Sequence, residues 1–116
     1  MTPINILKHE KNLRSLTAGQ AVFSEGEAAD AMYAVIAGEV HISLGGRVIE
    51  RVSEGGIFGE LALLDDGPRS ASAVAATDCT VAVIDPKRFN VLVQQAPFFA
   101  VEVMRMMAER LRRKPV

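Results

Sequence analysis

The chain has 116 residues, 49% hydrophobic and 23% charged, a balance that suits one domain with its own core and gives no compositional sign of disorder. Its formal charge of −1 supplies no basic field to draw it onto nucleic acid or an anionic membrane. The single cysteine, Cys79, excludes an internal disulfide, a cysteine-held iron–sulfur cluster and a zinc knuckle. No apolar run nears the roughly 20 residues of a spanning helix, and the opening MTPINILKHEKNL lacks the apolar stretch of a secretory signal, so a soluble, cytoplasmic protein is expected.

Residues 1–12 carry Ile4, Ile6 and Leu7 among polar side chains and predict a short helix packed on the body. From Leu13 the pattern shortens. Leu13 to Leu16 and Ala21 to Phe23 alternate with the turn clusters Thr-Ala-Gly-Gln and Ser-Glu-Gly-Glu, which predicts several short strands. Met32 to Ile36, then Ala37-Gly38, then Val40, Ile42 and Leu44 alternating with polar residues read as a hairpin. Gly45-Gly46 joins that strand to Arg47 to Val52 in a second hairpin, so the three form a meander. Ser53-Glu-Gly-Gly56 leads into FGELALLDDGPRSASA, from Phe58 to Ala73, after which Ser70 to Ala75 and Thr80 to Ile84 give two more strands around Thr77-Asp78. Closely spaced strands of this kind predict a mainly β sandwich or barrel, with Cys79 a small buried hydrophobe on one of them.

At Asp85-Pro86 the period changes. Asp85 is a good N-cap, Pro86 suits the first helical position, and Phe89, Leu92 and Val93 share one face. Ala96-Pro97 ends that helix and begins another, in which Val101, Met104, Ala108 and Leu111 form an apolar stripe widened by Phe98, Val103 and Met107. Met104, Met106 and Met107 are read as packing residues, of the core or of a dimer. Arg110, Arg112, Arg113 and Lys114 are read as solvated cations complementing the helix dipole.

The chemistry concentrates between Phe58 and Ala73. Gly59 lets the backbone come close to a ligand, and the helical turn opening at Glu60 and Leu61 offers N–H groups that favour an anion. Arg69 can add a planar, permanently charged fork to phosphate oxygens, and Ser70 a hydroxyl. Glu60 cannot face a phosphate, but as a carboxylate it accepts strongly from a ribose 2′-OH. The bland alternative is a Glu60–Arg69 ion pair across a turn, which for partly exposed side chains contributes only about 0–1 kcal/mol. The order Gly-Glu turn, Asp-Asp-Gly-Pro turn, Arg-Ser pair favours an anion site with a carboxylate beside it. Asp65 and Asp66 before Gly67-Pro68 are turn formers with no third metal ligand at hand.

FGELAL…PRSA resembles the phosphate-binding cassette of the cyclic nucleotide-binding domain family, and the likeness runs from Gly26 through Tyr33, Gly38, Gly55 and Phe58 to the terminal helix. The resemblance implies an antiparallel, jelly-roll-like β-roll: one domain over residues 1–116, with a helical segment at 1–12, the roll at 13–84, the cassette at 58–73 and helices at 86–113. It implies Gly59, Glu60, Leu61, Arg69 and Ser70 as ligand contacts. Ile42 and Ile49, read as inward-facing on adjacent strands, are the apolar wall for base and ribose as well as core, and Arg110 stands where some relatives cap the base with an arginine. The implied ligand is cyclic AMP, with cyclic GMP the alternative because the Ser70 hydroxyl can also meet a guanine amino group. No cofactor is expected.

Rival functions are weaker. His9 and His41 are the only histidines and do not cluster, which argues against a metalloenzyme on this roll. The two helices after the last strand leave no helix-turn-helix, so a DNA-binding regulator is expected only with a further segment. A degenerate roll for protein contacts would not keep Glu60, Arg69 and Ser70 together. The expectation is a regulatory module read by an effector protein or linked domain, with the terminal helix as the surface through which a homodimer would pair.

Overall fold

A computed structural model describes residues 5–64 and 67–113; Ile4, the Asp65-Asp66 half of the predicted turn, and Lys114 lie outside the described residues. Among the described residues eight strands run β1 (Leu13–Leu16), β2 (Ala21–Phe23), β3 (Met32–Ala37), β4 (Val40–Leu44), β5 (Arg47–Val52), β6 (Ile57–Phe58), β7 (Ser72–Ala75) and β8 (Cys79–Ile84). Two helices follow, α1 (Pro86–Gln95) and α2 (Pro97–Arg113), and 3-10 helices occupy Asn5–His9 and Glu60–Leu63. The strands form two antiparallel four-stranded sheets, ordered β1-β8-β3-β6 and β2-β7-β4-β5. This is the β-roll the resemblance implies.

Alternation along the strands builds two cores, because successive side chains leave a strand on opposite faces. Tyr33 and Val35 of β3 with Val81 of β8 point between the sheets, where they meet Phe23, Val40, Val52, Phe58 and Ala73. Met32 and Ala34 of β3 with Ala82 and Ile84 of β8 point the other way, onto Leu7, Leu92, Phe99, Val103 and Met106. The first sheet is therefore covered on both faces, and each fully buried residue such as Phe58, Phe99 or Leu92 contributes roughly 1.5–3 kcal/mol. Cys79 is buried on β8 as expected, and burial with the neighbouring Asp78 pushes its thiol pKa up.

One predicted hairpin is not there. β4 pairs with β5 through Gly45-Gly46 as expected, but β3 and β4 lie in different sheets, so Ala37-Gly38 is a crossing. Gly38 has φ 91°, and a Cβ there would stand 2.5 Å from Asp78 O and 2.6 Å from Cys79 Cβ. The chain crosses beside the β7–β8 turn, where Glu39 N–H donates to Thr77 Oγ1 at 3.1 Å and Ala76 N–H to Glu39 O at 2.9 Å.

Helix α1 begins as its sequence requires: the Asp85 side chain accepts from Arg88 N–H at 2.7 Å, with Pro86 next. Arg88 then forks onto the buried Glu10 carboxylate at 2.8 and 2.7 Å, tying the residue that follows the first 3-10 helix to α1. In α2 the core face is Phe99, Val103 and Met106, whereas Phe98, Val101, Met104 and Leu111 are exposed. The predicted stripe is divided: Val103 and Met107 face the core, while Val101, Met104, Ala108 and Leu111 with Phe98 face outward, because α2 carries two apolar faces and α1 and the sheet take one of them.

Candidate functional site

The second 3-10 helix follows β6 directly. Gly59 caps it at φ 73°, in the left-handed region, and a Cβ there would lie 3.0 Å from Arg69 Nη1 and 3.3 Å from Phe23 Cε2. Glycine is required by both conformation and space. Glu60 is buried, while Leu61 and Ser70 are exposed.

Arg69 is fixed before β7 begins. Its N–H donates to Glu27 O at 2.8 Å and its carbonyl accepts from Gly26 N–H at 2.9 Å, so the Gly26 turn and the arginine backbone hold each other. The guanidinium points inward, with 5% of the side chain exposed. Nη2 donates to Ala31 O at 2.7 Å, Nη1 donates to Gly59 O at 3.2 Å, and the guanidinium carbon stands 4.0 Å from the Phe23 ring centroid. Asp30, largely exposed, supplies the nearest recorded carboxylate at 3.9 Å. Arg69 Nε is buried and has no hydrogen-bond partner among the described residues.

Glu60 is held from α2. Arg110 Nη1 donates to Glu60 Oε1, Nη2 to Ile57 O, and Nε to Glu50 Oε2 at 2.9 Å, while Arg113 Nη2 stands 3.6 Å from the same Glu50 oxygen. Burial raises the Glu60 pKa above its ordinary 4.5; Arg110 and the residue's own amide pull it down, and the Glu50 carboxylate adds to the rise. Glu60 and Arg69 therefore do not make the simple ion pair with each other that the sequence allows. Arg110, expected among the solvated terminal cations, is instead ion-paired, with 15% of its side chain exposed; Arg112 and Arg113 stay exposed.

Of the two isoleucines expected to face inward, one does. Ile42 is partly buried against the inter-sheet core, but a β-bulge breaks the β4–β5 register after Ile42 and sets Glu50, not Ile49, opposite it. Ile49 is 56% exposed and is not a core residue. Sequence reasoning missed Glu50, Phe23 and the Ala31 carbonyl. Simple alternation back from the buried Val52 puts Glu50 on the inner face and would have found it. Nothing local marks Phe23 or Ala31.

The Arg69 fork thus stands beside the glycine-capped turn, and the buried Glu60 carboxylate opens that turn. The cyclic nucleotide-binding domain family matches residues 13–96. The chain belongs to this family. Among curated relatives it is 35% identical over 99 residues to the cyclic AMP receptor protein of Thermus thermophilus, covering 81% of this chain and 46% of that one. It is 37% identical over 78 residues to the cGMP-dependent protein kinase egl-4 of Caenorhabditis elegans, covering 67% and 10%. Among solved structures, the Thermus thermophilus catabolite activator protein superposes with a TM-score of 0.81 at 32% identity, over 93% of this chain and 53% of that one. The chain thus spans about half the receptor's length and a tenth of the kinase's.

Proposed function

We propose that the chain acts as one sensor module for a cyclic nucleotide, cyclic AMP in preference to cyclic GMP, and is a binding module rather than an enzyme. The observation that carries this reading is Arg110: a residue of the last helix is bonded to Glu60, the carboxylate assigned here to the ribose 2′-OH. Occupancy of the sugar site and the position of α2 are thereby coupled.

In this reading the cyclic phosphate meets Arg69, the Ser70 hydroxyl and the amides opened by Gly59, Glu60 and Leu61, while ionised Glu60 accepts from the 2′-OH. The base lies against Ile42 with Arg110 over it. Because the sugar hydroxyl and Arg110 address one carboxylate, ligand shifts the population of α2 positions, and an effector protein or linked domain reads the shift. The exposed face of Val101, Met104 and Leu111 is where a second copy would pair. The unpartnered Arg69 Nε favours a bound anion over a roll kept only for protein contacts, since a buried donor without an acceptor costs stability. Preference for cyclic AMP is supported by the likeness to a cyclic AMP receptor protein over 81% of the chain. The module works in the cytoplasm and makes no nucleic-acid contact of its own.

Isothermal titration tests this. The wild type should release heat with cyclic AMP, and Arg69→Ala should bind roughly 10- to 150-fold more weakly, the loss of a charge-assisted contact. No heat with either cyclic nucleotide, or unchanged binding by Arg69→Ala, overturns the reading; tighter binding of cyclic GMP overturns only the preference.

A further inference from the structure

A guanidinium buried to this degree needs compensation, and the recorded carboxylate nearest Arg69 is at 3.9 Å on a largely exposed side chain. What surrounds the cation instead is a ring and two carbonyls. Phe23 presents its face 4.0 Å from the guanidinium carbon, Ala31 O and Gly59 O take one N–H from each terminal nitrogen, and Tyr33 lies further off at 5.8 Å. The Phe23 ring is itself braced, at 5.9 Å from the Tyr33 ring and 6.0 Å from that of Phe58. Gly59 leaves room for both partners, since a side chain there would meet Arg69 and Phe23 together.

We propose that Phe23 is a positioning residue for the anion site: its ring face fixes the plane of the Arg69 guanidinium and so sets the affinity for a cyclic phosphodiester. This rests on the assignment of Arg69 to the phosphate. The two carbonyls fix rotation within the plane and the ring fixes the plane itself, which leaves Nε, buried and unpartnered, among the donors still free for an oxyanion. A planar cation held in this way loses little freedom when an anion arrives, and the attraction of the ring face for a cation adds to what the distant, exposed Asp30 carboxylate supplies. An aliphatic residue of similar size would fill the space without orienting the fork.

The test is to replace Phe23 with mono-, tri- and pentafluorophenylalanine, which keep the ring's shape and withdraw charge from its face, and to titrate each protein with cyclic AMP and cyclic GMP while recording its melting temperature. Affinity should fall stepwise along the series, by roughly 3- to 30-fold at the pentafluoro ring. The same series at Phe89, on α1 and packed against the helix-facing core, should leave affinity unchanged. A flat affinity series at Phe23, or an equal loss at both positions, overturns the proposal while leaving the nucleotide site intact. Absence of binding by the unmodified protein would instead remove the phosphate assignment, and the role of Phe23 with it.

Discussion

Glu60 must be ionised to accept from a sugar hydroxyl, yet burial favours its protonated form and raises its pKa above 4.5. A carboxyl whose folded-state pKa is raised contributes stability that is fully present below the unfolded value and is lost as pH rises through the folded one. Glu60→Gln has no such titration. The stability of the wild type relative to Glu60→Gln should therefore decline as pH rises from 4.5 upward, measured by urea unfolding of both proteins across that range. A gap that stays level, or moves in favour of the wild type, contradicts the burial account. Gly59→Ala should cost about 1–3 kcal/mol, because φ 73° is left-handed and the added methyl meets the guanidinium; the same unfolding experiment reads it. At this scale the sequence was informative about Gly59, Glu60 and Arg69, whose chemistry is local. It was silent on Phe23 and the Ala31 carbonyl, which reach Arg69 only through long-range folding.

Among the elements, α1 was legible because its signals sit side by side: Asp85, Pro86, then Phe89, Leu92 and Val93. Asp85→Ala should remove the 2.7 Å bond to Arg88 N–H and lower stability by about 1 kcal/mol without altering nucleotide affinity, seen as a shifted urea midpoint and an unchanged titration. An equal loss of affinity would mean that α1 takes part in the site. The face of α2 was not legible, since Val101, Met104, Ala108 and Leu111 keep helical spacing as well as Phe99, Val103 and Met106 do. Only the partner surface decides between them. The β3–β4 crossing was hidden for the same reason: Ala37-Gly38 between two apolar runs looks like a hairpin turn, and the Asp78 and Cys79 atoms that crowd Gly38 lie far along the chain. The bulge after Ile42 likewise moved Ile49 out of the wall and put Glu50 opposite Ile42.

For the whole molecule, the covered first sheet gives a rigid frame, and the site sits where three separately held parts converge: the Gly59 turn, the Arg69 backbone pinned to Gly26 and Glu27, and the end of α2 through Arg110. A ligand that binds only this folded arrangement stabilises it by mass action, by about 2.7 kcal/mol at a concentration 100 times Kd. A thermal scan of the wild type with saturating cyclic AMP, cyclic GMP or linear AMP is the most direct measurement. The melting temperature should rise by several degrees with cyclic AMP, less with cyclic GMP, and hardly at all with the linear nucleotide. A melting temperature unmoved by either cyclic nucleotide would contradict the claim that these parts form a cyclic phosphodiester site.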